Sequence, residues 1–286
     1  MKFFVNSRTL FYLFLASFFL GFSFIIQRFA LRTGADFFSI SLYMALVASI
    51  LSIPLFLMNA SVHRLTLTDW RDLILVGILA GGITILLQLY ALTLTSTVSL
   101  GLSQAFVAIF TAWFGYLFLK ERLPKAFAIV FGVMVIGMFL VSTNGQFFIP
   151  NFGDILVVIS GGIVGFTNVY VKRLNERVSI QLIIAGRVLF GTLFLLLAAI
   201  LWNQWAFPFE AFEWIVLLGF FVFLSSFFIL KSIETAGATL SSTFLMLAPV
   251  ITAFFSMVWF NEWLSVEQAV GVLIILIGGF YISRRM

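Results

Sequence analysis

The sequence contains no cysteine, five prolines and a single histidine among 286 residues. Without cysteine, a disulfide framework, a zinc–thiolate site, haem attachment and a thiol nucleophile are all excluded. Charged residues make up only 9% of the chain, whereas a soluble domain has about 25%. A chain so poor in charge lacks the polar surface with which a soluble domain meets water.

Apolar residues dominate instead, at 63% of the sequence with a mean hydropathy of +1.18. A soluble globule of this size cannot hide so much apolar surface, because much of its chain still faces water. In lipid, only helices and closed barrels satisfy their backbone hydrogen bonds. The apolar runs are continuous and approach the roughly 20 residues of a membrane-spanning helix, whereas barrel strands alternate. We therefore predict an all-α polytopic membrane protein.

Ten apolar segments can be placed, which predicts ten transmembrane helices. Their bounds are near 10–31, 37–58, 71–92, 97–119, 125–143, 153–172, 179–201, 211–231, 238–260 and 266–283. With the amino terminus in the cytoplasm, thirteen of the sixteen Lys and Arg residues fall on the cytoplasmic side. Arg28 and Arg32 fall outside, and Arg187 lies within a segment. Because positive residues mark the cytoplasmic side, both termini are expected there, in a plasma membrane or bacterial inner membrane.

The second half of the sequence resembles the first. Residues 21–28 (GFSFIIQR) match residues 165–172 (GFTNVYVK), and residues 114–123 (FGYLFLKERL) match residues 255–264 (FSMVWFNEWL). The offsets of 144 and 141 residues predict two halves, 1–145 and 146–286, with five segments each. Because five is odd, the second half must enter the membrane upside down. Inverted repeats of this kind are typical of transporters that open to either side of a site near the midplane.

Two helix ends carry a resemblance to a known family. They are LFLKERL at 117–123 and VWFNEWLS at 258–265, each followed by a glycine-containing apolar helix. Together with the two five-helix repeats, they resemble the EamA-like family of the drug/metabolite transporter superfamily. The resemblance implies a ten-helix fold and the export or uptake of amino acids, other metabolites or drugs. One departure is that Ala108 stands where the second repeat has Pro249, which predicts that the two halves flex unequally.

Arg187 is the leading candidate for solute binding. It lies about eight residues into its segment, roughly 12 Å deep. An arginine near the centre of a membrane helix costs about 2.5–3.5 kcal/mol. Two interpretations of this arginine remain open. The guanidinium holds a carboxylate or another anion of the solute in a bidentate contact, or it reaches the cytoplasmic face or backbone carbonyls at a helix break.

The other candidates are polar, aromatic or helix-end residues. Amides within lipid need partners, so they are expected to face either a polar solute or a neighbouring helix. Aromatic rings line an apolar cavity or pack in the core. Two glutamates end matching helices, where a gating role and a surface ion pair are the alternatives. The candidates for solute binding are Gln27, Gln88, Gln104, Tyr90, Trp113, Asn168, Tyr170, Ser225 and Ser226, and those for gating or helix ends are Glu121, Glu262 and Pro249.

None of the eleven acidic residues falls in the middle of a segment, and His63 lies in a loop. A buried acid is the usual device for binding a cationic drug, and a serine nucleophile needs a base beside it. The sequence therefore predicts no enzyme and no cofactor or metal. It predicts a carrier that moves a neutral, zwitterionic or anionic solute, such as an amino acid, by alternating access.

A membrane-embedded enzyme that modifies lipids and a channel or non-transporting scaffold are the alternatives to a carrier. The expected partners are the lipid bilayer and a small-molecule solute. Nucleic acid is not expected as a partner, because the basic residues are scattered among loops. The identity of the solute, the direction of transport and any coupling ion do not follow from the sequence.

Overall fold

The computed structural model describes residues 7–101, 103–120, 151–245, 247–261 and 263–285, together with isolated residues between 129 and 140. All regular secondary structure in these ranges is helical. The helices are α1 (Ser7–Arg32), α2 (Phe37–Leu57), α3 (Leu67–Leu94), α4 (Thr97–Leu119), α5 (Phe152–Leu174), α6 (Ile180–Trp202), α7 (Phe212–Ala236), α8 (Ala238–Phe244 and Leu247–Phe260) and α9 (Val266–Arg285).

Seven helices among the described residues, α1 to α7, are long and apolar enough to cross a membrane. Leu247–Phe260 of α8 and Val266–Gly278 of α9 are shorter apolar helices. The prediction of an all-helical membrane protein is thereby confirmed. The predicted segment 125–143 falls largely outside the described residues, so the count of ten helices stays a prediction.

Polar side chains at the loops determine where several helices begin. The Asp36 carboxylate accepts hydrogen bonds from the first backbone amides of α2. Thr66 and Asp69 form a capping box at the start of α3, and Asn151 and Asp154 form another at the start of α5. Such caps satisfy amides that have no partner within the helix. The apolar stretches between these caps continue as long helices.

A π-helical turn at Gly77–Ile83 interrupts α3. At this turn α3 lies against α6 without an intervening side chain: a Cβ on Gly81 would lie 2.0 Å from the carbonyl oxygen of Arg187, and one on Gly191 would lie 2.4 Å from the Gly81 backbone. Small residues allow membrane helices to approach this closely. The turn therefore brings the first half of the chain directly against the segment of α6 that carries Arg187.

Helices α4 and α8 cross in opposite directions. Near the start of α4, Gly101 lies against Thr252, and ten residues later the hydroxyl of Thr111 lies 3.2 Å from that of Ser242. Under the sequence offset of 141 residues, Gly101 corresponds to Ser242 and Thr111 corresponds to Thr252. Exchanging the two halves therefore converts one of these contacts into the other.

The matching helices α2 and α6 also run in opposite directions. The rings of Phe38 and Trp202 lie 5.5 Å apart at one end of the pair, and the hydroxyls of Ser49 and Thr192 lie 2.7 Å apart further along. In both pairs, a helix of the first half thus lies antiparallel to its counterpart in the second.

Helices α4 and α5 run parallel, because Gly161 contacts Phe106 and Gly165 contacts Phe110. The start of α5 accordingly lies beside the start of α4, where Thr95 donates a hydrogen bond to Asp154 at 2.8 Å. The end of α4 is a helix length away, roughly 34 Å for 23 residues. The chain therefore leaves α4 at one end of the bundle and begins α5 at the other. This is the arrangement expected if the predicted segment near 125–143 crosses the membrane between them.

Candidate functional site

A cavity lies between the two halves, with walls formed by helices α1 to α8. Its volume is about 70 Å³, which is room for a few waters or for the polar groups of a small solute. Seven of the ten predicted solute-binding residues line it: Gln27, Gln88, Gln104, Asn168, Arg187, Ser225 and Ser226. None of the described residues that line it is an aspartate or a glutamate.

Arg187 is the cation in this lining. The packing of Gly81 against its backbone carbonyl holds this turn of α6 against α3. Its side chain is half-buried, and no hydrogen bond or ion pair joins it to any other residue in the described part of the chain. The guanidinium therefore lies in the cavity wall, and none of the described residues accepts a hydrogen bond from it.

Two glutamine side chains in the lining, Gln27 and Gln88, also lack hydrogen-bond partners among the described residues. The Gln27 side chain is 4% exposed, and its Oε1 atom is buried without a hydrogen-bond partner among the described residues. Gln88 lines the same cavity and makes no side-chain hydrogen bond within the described ranges. A buried amide that lacks partners is costly, at about 1–3 kcal/mol, unless water or a ligand satisfies it. The cavity therefore presents an acceptor as well as donors.

Asn168 and Ser225 are partly satisfied by the protein. The Asn168 amide donates a hydrogen bond to Ser242 at 3.3 Å, and Ser242 lies beside Thr111 of α4. Ser225 donates to the backbone carbonyl of Val222 at 2.9 Å. Asn168 thus joins the cavity wall to the α4–α8 crossing, whereas Ser225 bonds within its own helix.

The lining follows the sequence repeat. Several residues that correspond under the offsets of 141 and 144 both face the cavity: Phe24 and Asn168, Ala48 and Thr192, Thr84 and Ser225, Ile85 and Ser226, Gln88 and Ile229, and Gln104 and Leu245. Equivalent positions of both halves thus surround one space. The two halves contribute different chemistry, because the residues that correspond to Gln88 and Gln104 are the apolar Ile229 and Leu245.

Three predicted candidates lie outside this cavity wall. Tyr90 is 38% exposed and packs against Phe37, and Trp113 is 44% exposed on the surface of α4. Tyr170 points to another cluster, where its hydroxyl hydrogen-bonds the Asp72 carboxylate. Of the helix-end candidates, Pro249 is buried in α8 next to Ala248, whose backbone packs against Gly21 of α1. Glu121 and Glu262 lie outside the described residues.

Sequence reasoning missed three further polar residues of the lining, Ser23, Thr84 and Thr192. Their hydroxyls bond to backbone carbonyls within their own helices, as small hydroxyl residues commonly do in membrane helices. Thr84 follows the π turn and donates to the carbonyl of Leu79, five residues earlier. Correspondence with the candidate Ser225 was a signal that could have found Thr84.

An ionic cluster lies at the end of the bundle where α3 begins. Arg177, between α5 and α6, donates from Nη1 to Asp69 at 2.8 Å and from Nη2 to Asp72. Arg71 also contacts Asp72, with Nη2 at 3.0 Å. The described residues contain no group of three or more His, Asp or Glu side chains that could hold a metal ion.

Comparison with known proteins identifies the family of this chain. The sequence model of the EamA-like transporter family matches residues 7–143 and again residues 151–284. The chain belongs to this family. The double match confirms the family resemblance and the presence of two repeats, and it identifies an integral membrane protein from a family of transporters of small solutes. EamA-like proteins are transporters, not enzymes.

Solved structures share the fold of this EamA-like protein. One, described only as the crystal structure of a protein, aligns with a TM-score of 0.67 at 20% identity, over 94% of this chain and 98% of the other. At this identity the likeness shows the fold alone. No curated protein matches the chain in sequence.

Proposed function

We propose that this chain carries a small solute with a carboxylate or another anionic group, such as an amino acid, across the membrane by alternating access at the cavity. The observation that carries the proposal is the environment of the Arg187 side chain. In the described part of the chain, its guanidinium has no partner and no acidic residue lines the cavity in which it lies.

An unpaired cation at this depth is costly, at about 2.5–3.5 kcal/mol by insertion scales. An anionic solute offsets that cost with two parallel charge-assisted hydrogen bonds, which are about twice as strong as neutral ones. A cationic solute would meet Arg187 with no acid in the lining to compensate it. The electrostatics of the cavity thus favour anionic and zwitterionic solutes.

The amides favour a solute that also donates hydrogen bonds. Gln27 Oε1 is an acceptor without a partner among the described residues. A solute that carries both a carboxylate and N–H groups satisfies Arg187 and Gln27 together. An amino acid has both groups, and this is the reason that we place it first among possible solutes.

Alternating access is supported by the relation between the halves. The contact of Gly101 with Thr252 corresponds to that of Thr111 with Ser242, and matching helices run in opposite directions. We propose that residues 1–145 and 146–286 form inverted five-helix repeats, with both termini in the cytoplasm. Two such repeats have two equivalent arrangements around one cavity, each open to one side of the membrane.

Counterflow in proteoliposomes tests this function. Purified protein is reconstituted with a high internal concentration of unlabelled amino acids, and the uptake of trace labelled amino acids is followed one at a time. Transient accumulation above equilibrium indicates a carrier, whereas rapid flux without counterflow indicates a channel. The absence of both for amino acids and other small carboxylates would contradict the proposal.

The role of Arg187 is tested in the same assay. Arg187→Gln is expected to lower the initial rate at least about tenfold, since one charge-assisted pair is lost, and Arg187→Lys to retain part of it. The matched control is Arg64→Gln, which removes an exposed arginine outside the cavity. Unchanged uptake by Arg187→Gln, with the protein correctly inserted, would remove Arg187 from the proposal.

A further inference from the structure

The ionic cluster at the start of α3 joins the two halves of the chain. Asp69 and Asp72 belong to the first half, whereas Arg177 and Tyr170 belong to the second. The side chain of Asp72 is only 1% exposed and that of Asp69 is 9% exposed. We call Asp69, Asp72 and Arg177 the inner cluster.

The opposite end of the bundle carries a corresponding set of charges. Glu210 and Glu213 follow Asp69 and Asp72 by 141 residues, which is the offset that relates α4 to α8. Arg32 precedes Arg177 by 145 residues, one more than the offset that relates α1 to α5. We call Arg32, Glu210 and Glu213 the outer set.

The helix ends that carry the outer set lie side by side, but its charges form no ion pairs among the described residues. Phe29 stacks on Trp214 at 4.5 Å between ring centres, so the end of α1 lies beside the start of α7. All three side chains of the outer set are exposed, and no ion pair joins them within the described ranges. The Arg32 guanidinium instead lies 4.3 Å from the centre of the Phe260 ring.

We propose that the inner cluster and the outer set are alternating latches of the transport cycle. In the conformation described, Arg177 closes the inner end of the bundle while the outer set is open. In the opposite conformation Arg177 leaves Asp69 and Asp72, and Arg32 pairs with Glu210 or Glu213. This inference rests on the alternating access of the proposed function.

The symmetry of the repeats gives the physical reason. In an inverted repeat, each half adopts in the second state the arrangement that the other half has in the first. A contact between α3 and the α5–α6 loop therefore has a counterpart between α7 and the α1–α2 loop. One arginine and two acidic residues occur at both places, and within the described ranges the arginine is paired with the acids in the inner cluster but not in the outer set.

The inner cluster can also open at moderate cost. When Arg177 leaves, Arg71 of the same helix still contacts Asp72 at 3.0 Å. The buried carboxylate thus keeps a charged partner. A buried acid left without any partner would make opening far more costly.

Cysteine accessibility tests the latches, because the natural chain has no cysteine. Ser226→Cys places one thiol on the cavity wall. Its labelling rate with a membrane-impermeant thiol reagent is measured from each side, in inside-out and right-side-out vesicles. Arg177→Gln is expected to raise labelling from the inner side about threefold or more, as the loss of a partly exposed ion pair allows.

Arg32→Gln and Glu213→Gln are the decisive variants. Both residues are exposed, so the substitutions leave the fold intact, and each is expected to lower labelling from the inner side by a similar factor. The charge reversal Arg32→Glu combined with Glu213→Arg is expected to restore it. Arg64→Gln, an exposed arginine outside both sets, is the control and is expected to leave both rates unchanged.

The outcomes separate the latches from the proposed function. If Arg177→Gln changes the labelling but both outer variants leave it unchanged, the outer latch is wrong and alternating access stands. If the thiol is labelled from one side only in every variant, alternating access itself is wrong. If Arg32→Gln and Glu213→Gln shift labelling opposite to Arg177→Gln, both latches are supported.

Discussion

The hydroxyl oxygens of Ser242 and Thr111 lie 3.2 Å apart where α8 crosses α4, and the residues that correspond to them, Gly101 and Thr252, form another contact of the same helix pair. A contact and its counterpart are thus both present at one helix pair. The crossing lies beside the cavity, since Asn168 of the lining donates a hydrogen bond to Ser242. The centre of the molecule is therefore built from equivalent parts of the two halves.

This crossing is expected to stabilise the protein. Ser242→Ala and Thr111→Val each remove a buried hydroxyl and should each lower the free energy of unfolding by about 0.5–1.5 kcal/mol. Because the two hydroxyls interact, the double variant should cost less than the sum of the single ones. Thermal unfolding of the purified protein in detergent measures all three. Additive effects would show that the hydroxyls do not interact.

Gly81 is expected to tolerate no side chain. Gly81→Ala places a methyl group 2.0 Å from the Arg187 carbonyl and should separate α3 from α6, at about 1–3 kcal/mol of overpacking. Solute affinity should fall with it, since the Arg187 backbone moves. Thermal unfolding and solute binding check this. The matched control is Gly162→Ala in α5, whose added Cβ would meet only ring atoms at 3.7 Å or more; equal effects of the two variants would contradict the reasoning.

Gln27 is expected to select solutes with N–H donors. Gln27→Leu removes the unpartnered acceptor in the cavity and should lower the affinity for an amino acid about tenfold, the equivalent of ~1.4 kcal/mol. The affinity for a carboxylic acid of the same shape without the amino group should change little. Isothermal titration with both solutes measures the difference, and Gln204→Leu in an exposed loop is the control. Equal losses for both solutes would remove Gln27 from this role.

Tyr170 is expected to act on stability and not on solute binding. Its hydroxyl bonds to Asp72, outside the cavity wall, so Tyr170→Phe leaves a buried carboxylate with one partner fewer. Hydrogen bonds to charged groups contribute about 1.5–3 kcal/mol, and the free energy of unfolding should fall by a comparable amount. The solute concentration at half-maximal uptake should stay the same. A weaker apparent affinity with unchanged stability would return Tyr170 to the solute site.

The membrane class, the family and the paired halves could be predicted because each depends on long stretches of the chain. Apolar runs of helix-spanning length leave lipid as the solvent, and the repeat is visible in matched residues such as Gly21 and Gly165. Burial in lipid also explains why amides such as Gln27 and Gln88 could be expected to face inwards. Seven of the ten solute-binding candidates share one cavity for this reason.

The remaining features depend on contacts that leave no pattern in the sequence. The π turn of α3 follows from the close packing of Gly81 on α6, and glycine spacing alone does not distinguish it from a regular helix. Arg177 and Asp72 are 105 residues apart, and only the fold brings them together. Tyr170 was expected near the solute because it lies close to Asn168 on the same predicted helix, but the sequence does not say which neighbour its hydroxyl meets.

The central claim is that the Arg187 guanidinium binds an anionic group of the solute, and the most direct test is a comparison of affinities. The solute that gives counterflow is compared with its neutral primary amide, in which only the carboxylate has changed, on wild-type protein and on Arg187→Gln. We predict that wild-type protein binds the carboxylate at least about tenfold more tightly than the amide and that Arg187→Gln binds the two equally. The same preference in both proteins would contradict the account.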